Sequence, residues 1–513
     1  MGGAEQNIYD NQKPSVSTVS WKTQNGTSLE KKNLQESHIP MVVSFVAPDG
    51  GSRAWLVLFC AFLCNGVIWG IINSYSVLQH EFYQNLAAKN DTQASSKAGK
   101  CFSLFSLQHE FYQNLAAKND TQASSKAALV GSLAISATFM MSAVAGILTN
   151  LIGLRTTAFI GGALSCGGMF LSSFFTDNIA VLYFTYGIMC GIGCALVYTP
   201  SLAILGHYFT KYIGVANGIV ASGSSVFTMV MPYVMGFFLN VAYLHGTLKL
   251  LAAILVSLMC CALVFKPLVK MPTDKKVTVM QASNFISLWK NKKYCLWAFL
   301  ISISLFGYFV PYVHMSMFVE KHFVKGTDAK LPILCIGITS GLGRLIFGYI
   351  ADKPKVDRIL LQQVSFLVIG TLTMLLPSAS SCYECLIAIT LGMGLFDGCF
   401  ISLLGPIAFD ICGHECAAQA IGFLLGLCSI PLTTGPYVAG LLFDSVGNYN
   451  LALRLAGIPP IIGGIAMFSI RFIAAKDLRR NRAIKEDDRG NKEKLLSSES
   501  PEAHQTKDVT SSL

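Results

Sequence analysis

Two residues of opposite charge lie inside apolar stretches long enough to cross a bilayer: Arg344 within Leu331–Ile350, and Asp397 within a run from about Glu384 to Phe409. A charge at such depth costs at least a few kcal/mol, so it persists only when paired or facing water. Each lies thirteen positions into its run. At a rise of about 1.5 Å per residue, two helices running the same way would carry both charges about 20 Å in from one face. Two readings follow: an ion pair that only locks two helices together, or a polar site in a water-accessible cavity. For the second, Arg344 has the chemistry to clamp a carboxylate with paired donors. Trp69, Tyr308, Tyr312 and Phe396, in or beside neighbouring runs, would hold a ring by stacking and burial, unless they are lipid-facing or core residues. Asn65, Trp69 and Asn73 recur at four-residue steps and so share one helical face. They form either a cavity wall or a set of interhelical hydrogen bonds. His314 titrates near neutral pH in its unperturbed form and is placed to modulate binding.

These residues need a membrane to position them. The chain has 513 residues, 53% hydrophobic against 13% charged, which marks an all-α polytopic membrane protein. After the first run from Trp55, eleven further apolar runs follow up to about residue 473, giving about twelve transmembrane helices. The net charge of +10 sits in short connections and tails, which points to the membrane surface and not to nucleic acid. The sixteen cysteines fall mostly inside apolar runs, no ligand-type His/Cys cluster is present, and no metal or cofactor is expected. The serines near Ser222 have no nucleophile partners nearby, so an intramembrane enzyme is not expected either.

The basic connection 267–293 divides the spans into two six-helix bundles, 49–266 and 294–475, with disordered tails at 1–48 and 476–513. Arg155, Lys211, the lysines from Lys266 to Lys293, and Lys353, Lys355 and Arg358 fall on one side, so positive-inside places both termini in the cytoplasm. Gly146-x-x-x-Asn150-x-x-Gly153 after the second span and Gly348-x-x-Ala351-Asp352-Lys353 after the eighth are paired tight turns that fit internal duplication. In the fifth span, Gly214, Gly218 and Gly223 with Ala216, Ala221 and Ser222 signal close helix packing.

One feature of the chain is anomalous. Residues 78–98 recur without change as 107–127. Repeats that build folds diverge, so this copy is a very recent duplication or a fault in gene assembly, and the extra 29 residues are expected to be functionally incidental. Each copy carries an N-x-T acceptor, at Asn90 and Asn119, open to glycosylation if the loop faces outside.

With these residues in view, the chain resembles the monocarboxylate transporter family of the major facilitator superfamily. Pro48-Asp49-Gly50-Gly51 resembles the family's opening signature, although Ser52-Arg53-Ala54 stands before Trp55 where the family has aromatic-Gly-Trp. Tyr208-Phe209-Thr210-Lys211 leading to Ala216-Asn217-Gly218 resembles its second signature. The segments 307–314, 341–344, 394–400 and 419–426 are similar to the branch that carries aromatic amino acids (T-type) and thyroid hormones. The resemblance implies the major facilitator superfamily fold, facilitative alternating-access transport of aromatic amino acids, with iodothyronines as a further class, across the plasma membrane, and substrate or gating roles for His314, Arg344 and Asp397. It leaves open whether an ancillary single-span subunit is needed. The other branch of the family implies a proton-coupled lactate or pyruvate carrier, whose proton is carried by a lysine in helix one and a carboxylate one turn before the helix-eight arginine. Here 56–78 holds no lysine and the latter position is Ser340, so transport without sodium or proton coupling is expected. A non-transporting receptor or scaffold is the reading from another class; a costly buried charge pair speaks against it.

Overall fold

The computed structural model describes residues 48–75, 78, 122–176, 178–268, 288–308, 310–323, 331–446 and 449–470. The tails, most of the basic connection and the doubled loop with Asn90 and Asn119 lie outside the described residues. Within them the chain is helical, because an apolar segment in a bilayer satisfies its backbone polar groups only by bonding within itself. Helix α1 (Ser52–Asn73) has 22 residues, about 33 Å at 1.5 Å per residue, which matches the hydrocarbon thickness. It is followed by α2 (Gln122–Ile152), α3 (Leu154–Ser172) and α4 (Ile179–Tyr208), the last containing a π-helical segment at Tyr183–Cys190.

The 52-residue helix Ile213–Val264 is broken at Tyr243, whose φ of 54° is not helical, giving α5 (213–242) and α6 (244–264). Likewise Tyr383–Val446 is broken at Gly413, with a φ of 72° that glycine adopts without steric cost, giving α10 (Tyr383–Gly413) and α11 (414–446). Between them come α7, α8 (Leu331–Ala351) and α9 (Arg358–Leu375, extended to Ala379 by a 3₁₀ turn); α12 closes the series as Tyr449–Ala456 and Ile458–Ala466. Twelve helices are thus distinguished among the described residues, and eight segments, one of them holding both α5 and α6, are long and apolar enough to cross a membrane. The sequence predicts an unbroken seventh run, 295–318, whereas α7 is two pieces, Lys292–Ser304 and Val310–His322. Between the pieces, Gly307 lies against the Ala456 carbonyl so closely that a side chain would collide with it.

Parallel neighbours can be read from residue offsets. Asn65 of α1 donates to the Val220 carbonyl of α5 at 2.6 Å, and eight residues on Asn73 donates to Thr228 Oγ1 at 3.0 Å. Gly394 and Gly398 of α10 touch the carbonyls of Ile336 and Ser340 of α8, so these two also run the same way. The first six passes and the last six meet along two antiparallel seams. In one, Gly146 of α2 lies against the Ala418 carbonyl of α11, and Gly422 against that of Ser142; in the other, Gly348 of α8 lies against the Gly214 carbonyl of α5, and Gly218 against that of Arg344. The two seams match residue for residue, as internal duplication of a six-helix unit requires, and Ser142 occupies the place in the first half that Arg344 holds in the second.

Candidate functional site

The geometry at Arg344 starts from glycine. With no Cβ at Gly343 or Gly398, α8 and α10 approach until Gly343 touches the Leu395 carbonyl and Gly398 the Ser340 carbonyl. Such proximity, with both helices parallel, brings Arg344 Nη2 to 3.9 Å from Asp397 Oδ2. That is an ion pair without a hydrogen bond. Both residues are buried, at 8% and 4% exposure. Asp397 Oδ2 instead accepts the hydroxyl of Ser340, one turn before Arg344 on the same face. Arg344 Nη1 reaches across the seam to α5, donating to the Ala221 carbonyl at 2.7 Å and to Ser224 Oγ. Ser224 in turn donates to the same Ala221 carbonyl at 3.0 Å.

Two polar atoms at this centre, Arg344 Nε and Asp397 Oδ1, are buried and without a partner among the described residues. An orphaned buried donor and acceptor each cost roughly 1–3 kcal/mol if left unmet. One belongs to a cation and the other to an anion, the atom types that a carboxylate and an ammonium group pair with.

Aromatic residues stand around the pair. The Tyr198 and Tyr312 phenols are within electrostatic reach of the Arg344 charge. Tyr198 meets Trp69 edge-on with ring centres 5.5 Å apart, and Trp69 packs on Phe139 at 5.3 Å. On the opposite side Tyr312 contacts Tyr308 at 5.4 Å, which continues to Phe400 at 5.7 Å. Trp69 and Tyr198 thus form one aromatic cluster in the first half of the chain, and Tyr308 and Tyr312 another in the second. Phe396 faces Phe347 at 5.5 Å, in the α8/α10 seam beside the pair.

Other sequence-predicted residues sit elsewhere. Asn65 and Asn73 spend their amide nitrogens on the α1/α5 seam, as interhelical hydrogen bonds. Asn65 still bears on the site, since its partner Val220 precedes Ala221. His314 is buried two residues beyond Tyr312. Sequence reasoning missed Ser340, Ala221, Ser224, Tyr198 and Phe139 as parts of the centre. Only Ser340 had a usable signal, its one-turn spacing from Arg344; the others come from helices whose register against α8 no local pattern reveals.

A second polar cluster closes the seam at the face where α5 begins and α8 ends. Asp352 Oδ1 and Oδ2 accept the Gly214 and Val215 amides, each at 2.7 Å, capping the positive end of α5 across the two halves. Arg358 joins Asp352 at 3.0 Å to Asp410 at 2.8 Å. Burial holds the Asp352 carboxyl above the usual carboxylate range, against the opposing pull of the Val215 and Gly214 amides and of Arg358. Near the same face Asn217 of α5 donates to the Ser402 carbonyl of α10 at 2.7 Å. Asp49 of the opening signature accepts the Thr210 and Lys211 amides at 2.6 and 2.7 Å, tying the start of α1 to the turn before α5.

Comparison with known proteins fits this architecture. The Major Facilitator Superfamily pattern matches residues 54–430. Monocarboxylate transporter 10 of Danio rerio is 40% identical over 468 residues, covering 90% of this chain and 86% of that protein; the Mus musculus protein is 40% identical over 470 residues, covering 89% and 85%. Among solved structures, the human organic anion transporter TETRAN superposes with a TM-score of 0.57 at 14% identity, over 81% of this chain and 99% of that one. The E. coli fucose:proton symporter gives 0.58 at 13% identity, over 81% and 99%. A match to most of the chain at this identity, on an all-helical fold, makes the protein a member of the monocarboxylate transporter family within the major facilitator superfamily.

Proposed function

We propose that this transporter carries aromatic amino acids, with iodothyronines as a further class, by sodium- and proton-independent alternating access at the plasma membrane. The observation that carries the reading is the buried Arg344/Asp397 pair with one unpartnered atom on each member. The substrate carboxylate takes the free side of the guanidinium, its ammonium takes Asp397 Oδ1, and its ring enters between Tyr198 with Trp69 on one side and Tyr312 with Tyr308 on the other. A zwitterion brings no net charge into the site, so no ion need accompany it. The face closed by Asp352, Arg358 and Asn217 carries the basic connections and becomes the cytoplasmic one, with both termini there. The chain then stands in a state shut toward the cytoplasm, with the bundles 49–266 and 294–475 as the two moving halves.

Uptake of labelled tryptophan, tyrosine and triiodothyronine into expressing cells, with and without sodium, tests the substrate class. Saturable uptake of the amino acids, unaffected by sodium removal, is expected; no uptake of any of the three overturns the reading. Proteoliposomes given only an inward proton gradient should not accumulate substrate. Accumulation there would establish the lactate-type, proton-coupled alternative.

A further inference from the structure

In the state seen here, Arg344 has both of its described hydrogen bonds to α5, a helix of the opposite half. Its carboxylate neighbour on its own half stands off at 3.9 Å and spends an oxygen on Ser340. Opening the seam on the closed face means separating α5 from α8. In the empty transporter that movement would strip a buried guanidinium of the Ala221 carbonyl and Ser224 hydroxyl and leave it with a loose ion pair, a state strongly disfavoured in a low-dielectric interior. A bound carboxylate changes the balance, because it travels with Arg344 as a charge-assisted partner independent of α5.

We infer that Ser224, together with the Ala221 carbonyl, is a conditional latch on Arg344: it holds the closed face shut while the site is empty and becomes dispensable once a substrate carboxylate engages the arginine. This inference rests on the proposed function above, and Ser224 is on this account a positioning residue for the gate. Asn217, two turns nearer the closed face, also bridges the halves, but from α5 to the Ser402 carbonyl and with no contact to the ion pair. It resists opening whether or not substrate is present.

The two kinds of bond separate in a flux experiment. Cells preloaded with labelled tryptophan export it either into substrate-free medium or into medium containing unlabelled tryptophan. Export into empty medium requires the empty transporter to reopen the closed face, which is the step the latch slows; exchange uses the loaded transporter in both directions. Wild type is expected to show faster exchange than net export. Ser224→Ala should accelerate net export by about tenfold or more, the scale of one hydrogen bond to a charged group, bringing the exchange-to-net ratio towards one. Ser224→Thr should restore the wild-type ratio, and Ser224→Cys, a weak acceptor, should give an intermediate one. Asn217→Ala should change both rates together and preserve the ratio.

Four results overturn the latch: a wild-type ratio near one; an unchanged ratio in Ser224→Ala or, should that variant fail to reach the surface, in Ser224→Cys; failure of Ser224→Thr to rescue; or the same fall in ratio from Asn217→Ala. Wild type that carries no tryptophan at all would instead overturn the proposed substrate.

Discussion

The carboxylate of Asp352 and the backbone amide of Gly214 belong to opposite halves of the molecule and are joined by a 2.7 Å hydrogen bond. The second oxygen of Asp352 does the same for Val215, so one side chain caps a helix across the interface between them. Asp352→Ala should destabilise the closed face by about 1–2 kcal/mol, the scale of a helix cap. A lower thermal midpoint and faster labelling of a cysteine placed near Gly214 are the expected readouts.

The same residue gives a pH dependence. Burial raises the folded Asp352 carboxyl above its usual value of 3.8. Between those two values the folded protein holds a proton that the unfolded chain has released, so this group's contribution to stability grows as pH falls through the folded value and is lost as pH rises through it. Asp352→Asn should flatten that part of the stability curve. An identical curve for the variant in thermal unfolding from pH 4 to 7 would show that another group carries the dependence.

Arg344→Ala leaves Asp397 buried without its cation, a change of about 3–5 kcal/mol for a broken buried pair. Uptake should be abolished, and Asp397→Asn should come close to it. Arg344→Lys keeps the charge but loses the planar fork, so KM should rise by at least about tenfold. A charge-swapped Arg344→Asp, Asp397→Arg protein should stay inactive if the arginine holds the substrate; recovered transport would mean that the pair only locks two helices.

Gly343 touches the Leu395 carbonyl where α8 and α10 run side by side. Gly343→Ala should force these helices apart at the level of the ion pair, costing about 1–3 kcal/mol. Transport should fall more than surface expression, measured by surface biotinylation beside tryptophan uptake.

Trp69 reaches the site through its edge-on contact with Tyr198. Trp69→Ala removes that support, and with an aromatic pair worth about 0.5–1.5 kcal/mol the KM for tryptophan should rise roughly twofold to tenfold. Trp69→Phe should recover part of it. An unchanged KM in competition uptake would remove this wall from the site.

Deleting 78–106 removes one period of the internal repeat and leaves a single copy. Surface expression and uptake should persist, and glycosidase should still shift the mobility of the shortened protein if the remaining acceptor at Asn119 is modified. Loss of folding on deletion would make the doubled loop structural.

The helical membrane class and the two charged candidates were legible in the chain itself, because the bilayer imposes a length and an apolarity on each span and makes any buried charge conspicuous. The matching depths of Arg344 and Asp397 followed from helical rise once their helices were taken as parallel, and the offsets of Gly394 and Gly398 against α8 show that direction. Local spacing also grouped Asn65, Trp69 and Asn73 on one face. It could not say that the asparagines would turn to α5 while Trp69 would meet Tyr198, because residues at four-residue steps drift around the helix and separate onto different neighbours. Ser224 and Ala221 were readable only as small residues suited to close packing. Their role as acceptors for Arg344 depends on the crossing of α5 and α8, more than a hundred residues apart in the chain, and that crossing is set by backbone approach at Gly214, Gly218 and Gly348. Helix formation in a membrane is a local matter of length and apolarity, whereas the register between helices is decided by where small residues let two backbones touch, and it is the register that assembles the site.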